Sequence, residues 1–425
     1  MKRILFVIVL ASLCFADKAW CQDFDDYFTD NTLRIDYNFA GNNVEQHIAL
    51  DELCTSPGWY GKRKRLADVP MEGNGQITVR AKDGTMIYRN SFSTLFQEWI
   101  NYDEAKTTSK SFENVFLVPM PKDTVVVSVE LYNSRRERIA SFTHNVVPTD
   151  ILIRHIGENW KTPYETVMKA ADADNCINIA YVAEGYTAKE MGKFLSDVRK
   201  ANDAMFAHEP FASEKSKFNV VAVKPVSEDS GTSDPCKGVW KNTPLNSHFD
   251  TFYSNRYLTT LSLKRLHDVL AGIPYEHIII LVNTAEYGGG GILNSYNLSM
   301  TDHKMFKPVV VHEFGHSFAG LADEYAYEYE QLGMYPLDVE PWEQNITTLN
   351  DFNSKWKDML DDDTPLPTPE DFTPTNGVGV YEKAGYSLKG VYRPAKDCRM
   401  RTNTNPDFCP VCRRAIKRVI DFYTE

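Results

Sequence analysis

Two imidazoles and a carboxylate carry the first chemical signal: His312, Glu313 and His316, in the segment VVVHEFGHSFAGLADEY at 309–325. Residues four apart on a helix share a face, so both imidazoles project toward one point. Zinc suits neutral imidazole nitrogens there, and a catalytic zinc takes three protein ligands while keeping a position for water. Glu313, directly after the first histidine, is placed to take a proton from that water and pass it to a leaving amine. The plain alternative is a surface helix that happens to carry two histidines. The setting argues against it: an apolar run at 309–311 precedes the motif, Gly320 offers a helix end, and Asp323 and Glu324 follow.

The third ligand is narrowed by composition. All 10 histidines lie at or before 316, so none downstream completes the site. A chain that breaks its helix at Gly320 and turns back brings Asp323 near the metal. Glu324 is the neighbouring alternative, and Glu343 a weaker one that a second helix would have to supply. A capping or salt-bridging role is the bland reading of Asp323.

A peptidase also needs a group for the developing oxyanion, a task shared between a metal and a tyrosine hydroxyl. Tyr381, Tyr386 and Tyr392 are candidates, although any one tyrosine of the 22 is more often structural. The glycine run at 288–291 permits close backbone approach, for instance by a peptide adding to a strand edge. It lacks the Lys-Ser/Thr ending of a phosphate loop, so a nucleotide is not expected. Six cysteines follow residue 22, too few for a disulfide-built fold of this length. The pair Cys409 and Cys412 in CPVC reads as a redox pair, a tight disulfide or part of a metal site. With only Cys398 as a third thiol nearby, a four-ligand structural zinc is not expected there.

These residues need elements to hold them. From 24 to about 148, short alternating apolar runs (LRIDYNF, QITVR, TMIYRNSF, TVVVSVELYN) sit between turn signals, the pattern of a β-sandwich. Beyond 148, strand-like runs at 177–185, 217–226 and 277–283 alternate with helical patterns at 188–207 and 259–270, an α/β unit. The stretch 331–390 is rich in Pro, Asp, Gly and Tyr, with one possible helix at 352–360, and suits a cleft-shaping loop region. An amphipathic helix at 410–422 closes the chain. The expected organisation is a signal peptide at 1–22, a β-sandwich at 23–148 and a catalytic α/β unit at 149–425.

The first 22 residues have a basic start, an apolar run too short to span a bilayer, and small residues near a cleavage point. Export to a secreted, periplasmic or cell-surface location is expected, without a transmembrane segment. Lipidation through LASLC is disfavoured by bulky Leu13. A formal charge of −12 argues against a nucleic-acid partner, since phosphate binding needs a basic surface.

Several stretches together resemble the IgA-specific metallopeptidase family, a metzincin-type branch of zinc proteases. They are HEFGHSFAGLADEY, NIAYVAEGYTAKEM at 178–191, the region 208–221, YEKAGYSLKGVYRP at 381–394 and CRMRTNTNPDFCPVC at 398–412. The leading β-module resembles the domain that precedes this catalytic unit. The resemblance implies His312, His316 and Asp323 as zinc ligands, Glu313 as base, and Met400 as the methionine of the turn beneath the metal. It also implies one departure from the common metzincin spacing, with Gly320 eight and Asp323 eleven residues after His312 where glycine and a third histidine stand at seven and ten. Peptidase chemistry on a protein or peptide follows, and an immunoglobulin substrate is not carried over. The rival readings are a secreted zinc amidase acting on cell-wall material, and a surface or glycan-binding protein with a structural metal. Glu313 argues against the last, because a structural site fills its four positions and has no use for an adjacent base.

Overall fold

The computed structural model describes residues 23–328 and 333–425, so the expected signal segment lies outside the described residues. Alternating side chains build the first unit, as in the strand Val125–Tyr132, where buried and half-buried residues follow one another without interruption. Its strands are β1 (Phe28–Gly41), β2 (Gln46–Pro57), β3 (Gly75–Arg80), β4 (Met86–Phe92), β5 (Lys110–Pro121), β6 (Val125–Tyr132) and β7 (Arg138–Val146). They form two four-stranded sheets, ordered β5-β1-β2-β8 and β4-β3-β6-β7, where β8 is the short strand Arg154–His155. Phe39, Phe92, Phe96 and Phe116 pack between the sheets, with Phe92 and Phe116 ring centroids 4.3 Å apart.

The second unit is a six-stranded mixed sheet with few helices. Its strands are β9 (Tyr164–Met168), β10 (Ile177–Glu184), β11 (Phe218–Val223), β12 (His277–Val282), β13 (Gly289–Ile292) and β14 (Tyr296–Met300), ordered β13-β14-β12-β10-β11-β9. The four central strands are parallel, and the two outer strands β9 and β13 are antiparallel to their neighbours. β10 and β12 are buried on both faces, and the period of two sorts their side chains. Ile177, Ile179, Tyr181 and Ala183 join the core under the helices, whereas Ala180 and Val182 join the core that continues into the sandwich. The sheet is thus a middle layer between helices and sandwich.

The helices Met191–Met205, Phe306–Ala319 and Pro410–Thr424 cover one face. The region expected to be loop-rich is so, ending in the hairpin β15 (Tyr381–Ala384) and β16 (Ser387–Arg393). The helix expected at 352–360 is instead two single 3-10 turns, Phe352–Ser354 and Lys357–Met359. Phe352 and Trp356 are buried as anchors, and their packing holds the segment without a continuous helix. Among the described residues, no helix is long and apolar enough to cross a membrane.

An ion-pair knot ties the two units. Arg34 on β1 donates to both oxygens of the fully buried Asp36 at 2.7 Å, and to Asp268, in the last turn of the helix Leu263–Val269, at 2.6 Å. Its Nη2 also reaches the Lys264 carbonyl at 3.1 Å. Removing one member of a buried pair leaves the other charge uncompensated, at a cost of about 3–5 kcal/mol. Arg34→Ala is therefore expected to lower unfolding stability by about that much in urea titration. A loss below about 1 kcal/mol would show that Asp36 does not depend on this partner.

Candidate metal centre and its cleft

The helix Phe306–Ala319 carries both histidines. Pro308 sits in its first turn, where no intrahelical N–H is needed, and Phe306, Val309, Val310, Val311, Phe314 and Phe318 are buried. Phe314 and Phe318 stack on each other at 5.0 Å, both pack against Phe211, and Phe318 also meets Phe218 of β11, which seats the helix on the sheet. His312 and His316, one turn apart, remain partly exposed and face a common cleft.

Gly320 ends the helix in the left-handed conformation at φ 57°. A Cβ there would also stand 2.5 Å from the Trp342 ring, so glycine is required twice over. The reversal returns the chain over the histidines. His316 Nδ1 donates to the Leu321 carbonyl at 2.5 Å, and His312 Nδ1 donates to the Arg399 carbonyl at 2.9 Å. With both Nδ1 atoms committed as donors, both Nε2 atoms are left to offer lone pairs.

Those two Nε2 atoms lie 3.0 Å apart, and Asp323 Oδ1 is 3.1 Å from one and 3.4 Å from the other. Three ligands of a tetrahedral zinc with about 2.0–2.1 Å bonds would be separated by about 3.3–3.4 Å, close to this triangle. Asp323 Oδ1 is buried and has no hydrogen-bond partner, while Oδ2 accepts from the Tyr386 hydroxyl. Two facing lone pairs and an orphaned carboxylate oxygen fit a cation at their centre. Burial works against the charged forms, yet the Asp323 carboxylate lifts His316 to about 9 and the two imidazoles hold Asp323 below the usual carboxylate range, so a cation would bind there by displacing the proton on His316 Nε2.

Glu313 belongs to the same cluster, its ligand-type atom within 4.8 Å of those of the two histidines. It packs against the glycine strand: a Cβ on Gly289 would stand 2.6 Å from Glu313 Oε1, and one on Gly291 would stand 2.9 Å from His316 Cβ. The glycines of β13 therefore let the site helix approach. The edge that the sequence offered to a peptide is already paired at Gly289, where Leu258 N–H donates to the Gly289 carbonyl and Gly289 N–H to the Arg256 carbonyl. Burial raises the Glu313 carboxyl above its ordinary range.

The remaining candidates separate clearly. Met400 is fully buried beneath the helix, its sulfur 2.8 Å from where a Cβ on Gly315 would be. Glu324 turns away from the histidines toward Cys398, Cys409 and Cys412, as its place beside Asp323 in an extended segment requires. Glu343 lines the cleft but accepts from Tyr335 at 3.1 Å and does not reach the histidine pair. Tyr386, at the hairpin turn, bonds Asp323 and lies 3.3 Å from the Tyr325 hydroxyl. Tyr381 and Tyr392 do not line the cleft, contrary to expectation. Tyr381 points into the hairpin's own packing and donates to the Phe372 carbonyl at 3.3 Å, while Tyr392 packs against the core under the helices.

The cleft encloses about 690 Å³ and both units wall it. The sandwich side contributes Glu98, Tyr102, Tyr132 and Arg136, which sequence reasoning missed. Glu98 accepts from the Tyr257 hydroxyl at 2.6 Å, and desolvation pushes its carboxyl up to about 7. The only sequence trace of it is an acidic residue within the apolar run LFQEWI.

Comparison with known proteins adds an independent finding. Residues 166–376 and 370–420 match the family described as IgA Peptidase M64, and residues 23–143 match the one described as Peptidase M64 N-terminus. No curated protein matches the chain.

An ion held between these groups would depend on Asp323 directly and on Tyr386 through it. Tyr386→Phe is expected to weaken metal affinity about 10–100-fold, the usual range for a lost partner of a ligand. Asp323→Ala should weaken it further. Competition with a metal-sensitive chelator measures both, and unchanged affinity in Asp323→Ala would remove it from the ligand set.

Proposed function

The chain belongs to the IgA peptidase M64 family, and from that premise we propose that it is an exported zinc-dependent endopeptidase with a metzincin-like catalytic unit. The observation that carries this reading is the convergence of His312 Nε2, His316 Nε2 and the orphaned Asp323 Oδ1 beside the Glu313 carboxylate, at the floor of a cleft. Export rests on the expected signal peptide at 1–22.

His312, His316 and Asp323 would hold the ion. When bound, zinc supplies Lewis acidity that polarises a peptide carbonyl and acidifies a water. The chain's own residues do the rest. The Arg399 and Leu321 carbonyls fix both imidazoles in the tautomer that offers Nε2, and Tyr386 fixes the carboxylate by holding Oδ2. Met400 forms an apolar floor that excludes water from below the ligands. Glu313 takes the proton of the attacking water and delivers it to the leaving amine, and burial, which raises its carboxyl above the ordinary range, favours its accepting that proton.

A cleft lined by Tyr287, Tyr325, Arg256 and Asn403 beside the site offers hydroxyl, guanidinium and amide groups to a peptide backbone. A protein or peptide substrate fits that lining. An apolar, enclosed pocket would have suited a small ligand better.

Digestion of a proteome-derived peptide library, read by mass spectrometry, should yield internal cleavages that stop on chelation and resume with zinc. Glu313→Ala is expected to keep metal at the His312–His316 site while hydrolysis falls about 10²–10⁴-fold. Wild-type turnover in that variant would sink the assigned base. Gly289→Ala, whose methyl would crowd Glu313 Oε1, should lower turnover without loss of metal. Parallel loss of metal there would mean the strand positions the ligands and not the base.

A further inference from the structure

A second cluster lies behind the first. Glu324, Cys398, Cys409 and Cys412 are all buried, and their ligand-type atoms fall within 4.8 Å of one another. The three thiols and the carboxylate come from separate places: the strand-like return after Gly320, the Met400 segment, and the start of the helix Pro410–Thr424.

The geometry points to a structural zinc site with a Cys3Glu ligand set. Three of its distances test this. Cys398 and Cys412 Sγ atoms are 3.8 Å apart. A tetrahedral zinc with bonds of about 2.3 Å to sulfur requires sulfur–sulfur edges of about 3.8 Å, whereas a disulfide brings sulfurs to about 2.05 Å. Glu324 Oε1 lies 3.0 Å from Cys412 Sγ and 4.0 Å from Cys409 Sγ, bracketing the oxygen–sulfur edge of about 3.5 Å that the same tetrahedron demands.

Independent features mark the cluster as built to carry negative charge. Glu324 Oε2 is buried without any hydrogen-bond partner. The backbone N–H of Cys409 donates to Cys398 Sγ at 3.2 Å, and that of Cys412 to Cys409 Sγ at 3.5 Å, as thiolates bound to a metal are commonly supported. Asn345 Nδ2 holds Glu324 Oε1 at 3.0 Å. On binding Zn2+, each thiol releases its proton to solvent, and the site closes with four protein ligands and no place for water.

Its position gives it a job. Glu324 is the neighbour of Asp323, and its N–H donates to the Met400 carbonyl at 2.9 Å. Cys398 stands next to Arg399, whose carbonyl orients His312. The structural ion would staple the third ligand's segment, the Met400 segment and the closing helix to one another. This inference stands apart from the peptidase reading, because no residue of it enters that chemistry.

The full-length protein and its His312→Ala/His316→Ala variant, dialysed against metal-free buffer, provide the test. Wild type should hold two zinc ions per chain and the variant one. X-ray absorption at the zinc edge should show sulfur scatterers at about 2.3 Å in both, dominating in the variant. A metal-free variant of native circular dichroism, a shell of nitrogen and oxygen alone in either protein, or a disulfide among Cys398, Cys409 and Cys412 by alkylation and mass spectrometry would each overturn it. If the variant does not fold, the wild-type spectrum decides by the same criterion.

Discussion

The whole arrangement hangs on one backbone reversal, at Gly320. An α-helix by itself can aim two imidazoles at a point, but it cannot supply a third ligand from the same side without leaving the helix. The left-handed conformation at φ 57° sends the chain back within three residues, and it does two things at once. It places the Leu321 carbonyl on His316 Nδ1, and it lays Asp323 across both Nε2 atoms. Because Trp342 fills the space where a side chain would go, packing and backbone conformation select the same residue.

Positioning the helix that makes the turn is the work of the middle sheet. Its strands are buried on both faces, so each strand serves two cores at once: alternate residues reach the helices, and the rest reach the sandwich. This layering explains why the N-terminal unit is more than an appendage. It covers a face of the sheet that would otherwise expose Val182, Val221 and Ile280, and its loops form a wall of the cleft. The Arg34–Asp36–Asp268 knot sits at that junction and fixes how the layers meet.

Alternation in an extended segment also relates the two clusters of ligand-type groups. Asp323 and Glu324 are adjacent, so their side chains leave on opposite sides, one to the histidines and the other to the cysteines. Tyr386 and Asn345 hold the two carboxylates in turn. The proposed catalytic and structural ions would therefore share a short stretch of backbone, with Met400, two residues after Cys398, packed against Gly315 of the site helix.

Much of this was legible because it is local. The His312–Glu313–His316 spacing implies one helix face whatever surrounds it, Gly320 marks the helix end, and the runs that became β1, β3, β4 and β6 declare themselves by alternation. The role expected of Met400 was legible only through family resemblance, since nothing in its neighbours' spacing distinguishes it from a core methionine. Tertiary structure decided the rest. β13 was hidden because glycines have no strand propensity, and its form is dictated by the approach of Glu313 and His316. Glu98 reached the cleft from a distant unit, and Tyr381 and Tyr392 were turned from it by the hairpin's packing. The three cysteines looked one ligand short because their fourth partner, Glu324, is more than 70 residues away in sequence and meets them only after the reversal at Gly320. Spacing along the chain encodes what a single helix or strand can aim; which elements meet is set by how the layers bury their apolar faces, and that sum has no local signature.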